Sequence, residues 1–241
     1  SVAGLLRANP GLNAHVADPA VTVSLVEDAW RAYHAGDFAD AVDYGLSAGP
    51  VGMVVAARAA AVYASHLEEC EARRLAILRD TVESCAALVQ LAPCWASAWY
   101  VYGLALGRYS QNISVVKALA QGLGGKVRDC LLRAIHLDAG HADAHVGMGV
   151  YHAEVIDKVG AMVAALTYGA RREAVVAHFE AARRLHPQSP VVLAEYARST
   201  QLAFGPSHHG KAHDIFGDAA ACQPADALER LDVEWALGEI E

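Results

Sequence analysis

Three stretches decide the reading of this chain: Leu91-Ala92-Pro93 followed by Trp99, Tyr102 and Gly103; Leu137-Asp138-Ala139 followed by His145, Met148 and Gly149; and Leu185-His186-Pro187 followed by Leu193, Tyr196 and Ala197. They recur at offsets of 46 and 48 residues, and a fourth junction at Gln223-Pro224 comes 37 residues after His186-Pro187. An apolar segment, a break and a second apolar segment, repeated in this way, read as stacked helical hairpins. The spacing inside each segment agrees. Val127, Leu131 and Ala134, then Val175, Phe179 and Ala182, then Ala212, Phe216 and Ala219 each lie at i, i+4, i+7, which places them on one helical face. Near the N-terminus, Trp30-Arg31-Ala32-Tyr33 leads to Gly36-Asp37-Phe38 and Ala41, a helix, a tight turn and a second helix, with Gly36 suited to a left-handed helix stop.

Composition supports an all-α fold. Hydrophobic residues make up 54% of the 241 residues but aromatics only 7%, so the apolar content is chiefly Ala, Val and Leu, which cost little in a helix. Between Glu83 and Arg108 lie 24 uncharged residues, enough to cross a bilayer as one helix. Pro93 interrupts them, because proline lacks a backbone donor and restricts its predecessor, so two helices and no membrane span are expected there.

The net charge of -8 is unevenly placed. Residues 1–50 hold six acids against Arg7 and Arg31, residues 214–241 hold eight against Arg230, and residues 51–213 hold 13 acids and 16 bases. A weakly basic centre between acidic ends lacks the dense cationic face that nucleic acid requires. The five cysteines, Cys70, Cys85, Cys94, Cys130 and Cys222, show no paired spacing and read as helical core thiols of a reducing compartment. A cytoplasmic location is expected, or a periplasmic one if a leader preceded Ser1.

Catalytic signatures do not appear: there is no nucleophile elbow, phosphate-cradling loop or zinc-protease helix, and neither a cofactor nor an enzymatic activity is expected. His141, His145 and His152 share a helical segment on which two imidazoles could hold a metal, but His145 and His152 occupy the repeat positions of Trp99 and Leu106 and are expected to pack in the core. His208, His209 and His213 read as surface residues. Gly122-Leu123-Gly124-Gly125-Lys126 reads as a turn between helices, with a helix start at which an anion could sit. Glu68-Glu69, Arg73-Arg74, Arg171-Arg172 and Arg183-Arg184 are expected on solvated surfaces.

Gly36-Asp37-Phe38 with Ala41, the Trp99…Tyr102-Gly103…Leu106 run and the two Ala/Val…Phe…Ala…Pro runs resemble the tetratricopeptide (TPR) signature. From Gly125 to Tyr196 the chain is also similar to regulator-of-microtubule-dynamics proteins and to the T component associated with TRAP transporters. Arg133-Ala134-Ile135-His136-Leu137-Asp138, Gly149, Tyr168-Gly169 and Ala181-Ala182-Arg183-Arg184-Leu185-His186-Pro187 carry that similarity. The resemblance implies a TPR-like superhelix of stacked antiparallel helix hairpins, irregular because extra residues enter at Gln111–Gly125 and Asp157–Ala170. A single domain over 1–241 is expected, with units near 21–50, 51–93, 94–139, 140–187 and 188–224 and a capping helix at 225–241. By family phase the first helices of the pairs line a concave groove with Tyr100, Leu104 and Arg108, then Asp143, Val146, Val150 and Glu154, then Ala194, Arg198 and Gln201. A non-catalytic scaffold for a protein or peptide partner follows from that groove. The alternative is a small-molecule-binding component like the TRAP-associated protein.

Overall fold

The computed structural model describes residues 2–241 and contains no strand among them. Its helices are α1 (Val2–Ala8), α2 (Pro19–Ala35), α3 (Phe38–Ser47), α4 (Met53–His66), α5 (Glu71–Leu91), α6 (Ala96–Gln111) and α7 (Val115–Ala120), continuing with α8 (Leu123–Leu137), α9 (Ala142–Val159), α10 (Ala161–Val163), α11 (Arg172–Leu185), α12 (Pro190–Phe204), α13 (His209–Ala220) and α14 (Ala227–Ile240). They form two compact units, Ser1–Ala139 and Gly140–Glu241.

In the first unit α2 packs on α3, α4 on α5, and α6 on α8, while the first helices α2, α4 and α6 also touch their neighbours in series. The second unit repeats the scheme with α9 on α11 and α12 on α13, α12 contacting α9 on one side and the closing helix α14 on the other. Residues that stop or cap helices set the ends of these elements. Pro93 stands in the break between α5 and α6, so neither helix is a bilayer span, and no described helix is long and apolar enough to cross a membrane. Asp18 accepts from Ala20 N and Val21 N at the start of α2, where Pro19 supplies a preset φ at the first helical position. At α14 the caps are reciprocal: Asp226 Oδ1 accepts from Glu229 N at 2.8 Å and Glu229 Oε2 accepts from Ala225 N at 2.7 Å. Gly36 ends α2 with φ 93°, as the Trp30–Gly36 pattern predicts.

The periodic triplets form the core. In the second unit Val175, Phe179, Ala182, Ala212, Phe216 and Ala219 have no measurable exposure, and in the first unit Val127, Leu131 and Ala134 are buried. In the second unit Phe179 stacks on Tyr196 at 4.9 Å and lies against Gly149, where an added Cβ would stand 2.4 Å from Phe179 Cε2. The close approach of α9 and α11 therefore requires a residue without a side chain.

Several surface expectations are corrected. Glu68 is buried rather than solvated: its carboxylate accepts from Cys70 N at 2.8 Å and Arg73 Nε at 3.2 Å, while Arg74 donates to the Glu68 carbonyl at 2.9 Å. These groups tie off the turn between α4 and α5, whose backbone needs acceptors and donors that no helix supplies. Arg172 is exposed, as expected, but is also engaged, donating from Nε to the Ala203 carbonyl at 2.6 Å and lying over the Phe204 ring. Only Cys85 and Cys130 are core thiols, each pushed up to about 12 chiefly by burial, whereas Cys70 and Cys94 are exposed. Trp99 is half-buried, its indole N–H donating to the Pro93 carbonyl at 2.9 Å.

The histidine seam of the second unit joins α9 to α11. His145 Nδ1 meets His178 Nδ1 at 3.0 Å, and the His152 ring stacks on His178 at 5.8 Å between centroids. His152 is buried, with no hydrogen-bond partner at its Nδ1. Burial first, and the neighbouring imidazole second, lower both His152 and His178 to about 4. No group of three or more His, Cys, Asp or Glu side chains is placed to hold a metal ion among the described residues.

Two outcomes follow for stability. Gly149→Ala is expected to destabilise the protein by about 1–3 kcal/mol, because Phe179 must leave its rotamer or the helices must part; an unchanged thermal midpoint would contradict the close approach. The histidines bind protons more weakly when folded than unfolded, so their contribution is intact above about pH 6.5 and is lost as pH falls from there toward about 4. Urea midpoints should drop across that window, and a His152→Leu, His178→Leu double variant should flatten the drop.

Candidate partner-binding faces

In the first unit the faces of α2, α4 and α6 meet around Arg58. α4 is rich in alanine and buries eight of its fourteen residues, Val54 to Ala57, Ala59 to Ala61 and Ala64, so its small side chains let the flanking helices approach. Arg58 emerges from this apolar surface with its guanidinium 5.4 Å from the Tyr100 ring centroid, 5.8 Å from that of Tyr33 and 6.0 Å from that of Trp30. Trp30 stacks in turn on His34 at 5.7 Å and meets Tyr33 edge-on at 5.5 Å. The cation is held by ring faces from the helices on either side, and it remains half-exposed together with Trp30. Of the groove residues expected by phase in this unit, Tyr100 is buried and belongs to this cluster. Leu104 and Arg108 are half-exposed, with Arg108 donating to Gln111 Oε1 at 3.4 Å.

Sequence reasoning passes over Trp30, Tyr33 and Arg58 as binding residues. The signal is present, since Arg58 is the only Asp, Glu, Lys or Arg of α4, but nothing in the sequence says which rings surround it.

The corresponding face of the second unit, on α9 and α12, is ionic. Arg198 donates to Glu154 at 3.2 Å across the two helices and stands 3.6 Å from Glu195, while Lys158 reaches Glu154 from the next turn of α9 at 3.2 Å. Burial pulls the Arg198 guanidinium toward its neutral form, but the two glutamates outweigh it and raise its proton affinity. Glu154 and Arg198 thus satisfy one another. Val150, Asp143 and Gln201 are half-exposed, Val146 is nearly covered, and Ala194 is fully buried and offers no surface. At the α12–α13 junction His208 contacts Ser207 Oγ at 3.0 Å and packs on Phe204, whereas His209 and His213 are exposed.

Comparison with known proteins supports the architecture alone. No family model and no curated protein matches the sequence. Among solved structures, a thermophilic TPR protein of Thermus thermophilus aligns with 90% of this chain and 98% of its own, at a TM-score of 0.64 and 16% identity. The structure of the MamA protein aligns with 83% of this chain and 90% of its own at a TM-score of 0.44 and 16% identity, too loosely to carry an argument. The first likeness, together with the helix pairs described above, shows that the chain has an all-α, tetratricopeptide-type fold.

Proposed function

We propose that the protein is a non-catalytic scaffold that binds a protein or peptide partner on the exposed faces of the first helices of its pairs. The observation that carries this reading is Arg58 held among Trp30, Tyr33 and Tyr100. Arginine, tryptophan and tyrosine are the residues that most often dominate the energy of protein interfaces, because they combine large apolar area with directed donors. Here the rings hold the guanidinium in place before any partner arrives, which lowers the ordering cost of binding. Half-exposed Leu104 on α6 extends the same face with apolar surface. A peptide offering a carboxylate or carbonyl to Arg58 and an apolar side chain beside it matches this chemistry. On the second unit, Asp143, Val150 and Gln201 provide a mixed surface of the same kind beside the Glu154–Arg198 pair.

Selection from a random peptide library provides the test. Peptides enriched on the wild-type protein should lose about tenfold or more in affinity with Trp30→Ala or Arg58→Ala, the range expected for interface anchors. Circular dichroism establishes that the variants are folded, and Arg58→Lys separates charge from planar stacking. Selected peptides indifferent to both positions would overturn the reading.

A further inference from the structure

The histidine seam between α9 and α11 has no part in the partner faces. His145 Nδ1 and His178 Nδ1 meet head-on: 3.0 Å separates the nitrogens and 5.3 Å the ring centroids, so each ring adds little more than its own radius to the line between them. One nitrogen donates and the other accepts, the roles depending on the tautomer. His152, further along α9, lies against His178 with the ring planes 27° apart, and its buried Nδ1 has no partner. Two imidazole nitrogens that face each other, beside a third left unpaired, are more than packing requires.

The seam is soft and uncharged. Met148 is buried, three residues after His145 and four before His152, so the three share one face of α9. Its thioether is a soft donor. No carboxylate stands three or four residues from His145, His152 or His178 on their own helices. No acid raises the proton affinity of His152 or His178, which burial and neighbouring imidazoles lower.

Donor chemistry identifies the ligand. Metal bonds to imidazole nitrogen are about 2 Å long, so two such nitrogens on one ion stand about 3–4 Å apart. The pair at 3.0 Å needs only a small outward swing, and His145 and His178 are half-exposed, which leaves an entry. A structural zinc ion takes four donors, and among the described residues no third His, Cys, Asp or Glu converges with these two. Calcium and magnesium take oxygen donors. With neutral donors alone the charge of the ion is uncompensated in a largely buried seam, a penalty that rises with the square of that charge in the Born picture. Two imidazoles and a thioether therefore match a soft, monovalent ion.

We propose that this seam binds copper(I) through His145 Nδ1 and His178 Nδ1, with the Met148 thioether as the third donor. Both imidazoles stay neutral: the ring protonated on Nδ1 loses that proton and takes one at Nε2, so no net proton is released. The site lies within the second unit and is independent of the partner face around Arg58.

Anaerobic titration of the whole chain with copper(I), read by competition with the chromophoric chelator bathocuproine disulfonate, tests it. Thiols also bind copper(I), so the titration uses a background carrying Cys70→Ser, Cys94→Ser and Cys222→Ser, which leaves only the buried Cys85 and Cys130. One equivalent should be retained, and X-ray absorption should show nitrogen and sulfur neighbours. His145→Ala and His178→Ala should each weaken binding about a hundredfold and Met148→Leu about tenfold, and zinc(II) should bind about a hundredfold more weakly than copper(I). Met148→Leu conserves volume, and circular dichroism establishes that all the variants are folded. His209→Ala, at an exposed histidine of the same unit, should bind like the background protein. No retained copper(I), binding indifferent to the His145 and His178 variants, the absence of a sulfur neighbour, or zinc(II) held as tightly as copper(I) would each overturn the proposal.

Discussion

In two of the helix pairs, α6–α8 and α9–α11, the distance between the helices is set by a residue with no side chain on one facing a large side chain on the other. At Gly149 a Cβ would lie 2.4 Å from Phe179, and at Gly103 it would lie 3.1 Å from Leu131 and 3.3 Å from Cys130. The two glycines occupy the same place in successive repeats, and fully buried Ala197 holds that place in the next. With the helices drawn this close, the apolar faces of α8, α11 and α13 are consumed inside their own pairs, and nothing large fits between them.

That constraint decides which surfaces are left for recognition. The second helices spend their apolar stripes on the core, whereas α2, α4 and α6 pack side by side and keep one flank open. Small residues on α4 bring the flanking rings within reach of a single guanidinium, so packing and the placement of Arg58 have one cause. On α9 and α12 the same flank is occupied by an internal ion pair, Glu154 with Arg198, whose members are largely shielded from water. The two faces differ in chemistry although they descend from one pattern.

The fold is legible in the sequence because its signals are local. Pro93 and Pro187 break the apolar runs where helices end, and the i, i+4, i+7 triplets point inward as periodicity requires. What the sequence conceals depends on residues far apart in the chain. His178 meets His145 from 33 positions away, and the rings around Arg58 come from α2 and α6. Neither has a spacing rule that could reveal it. Glu68 shows a different gap: an acidic turn residue looks solvated in sequence, and only the need of the following backbone N–H and of Arg73 for an acceptor draws it inside. Ala194 misleads as a groove residue by phase because a small side chain on α12, with α9 and α14 on its flanks, is covered whichever way the face is drawn.

Hydrogen–deuterium exchange with and without a tightly bound selected peptide tests the central claim most directly, because it reports which helices the partner covers. The account predicts added protection concentrated in α2, α4 and α6, with α3, α5 and α8 unchanged. Protection confined to α3, α5 and α8 would contradict it, since recognition would then lie on the helices whose apolar faces the core already uses.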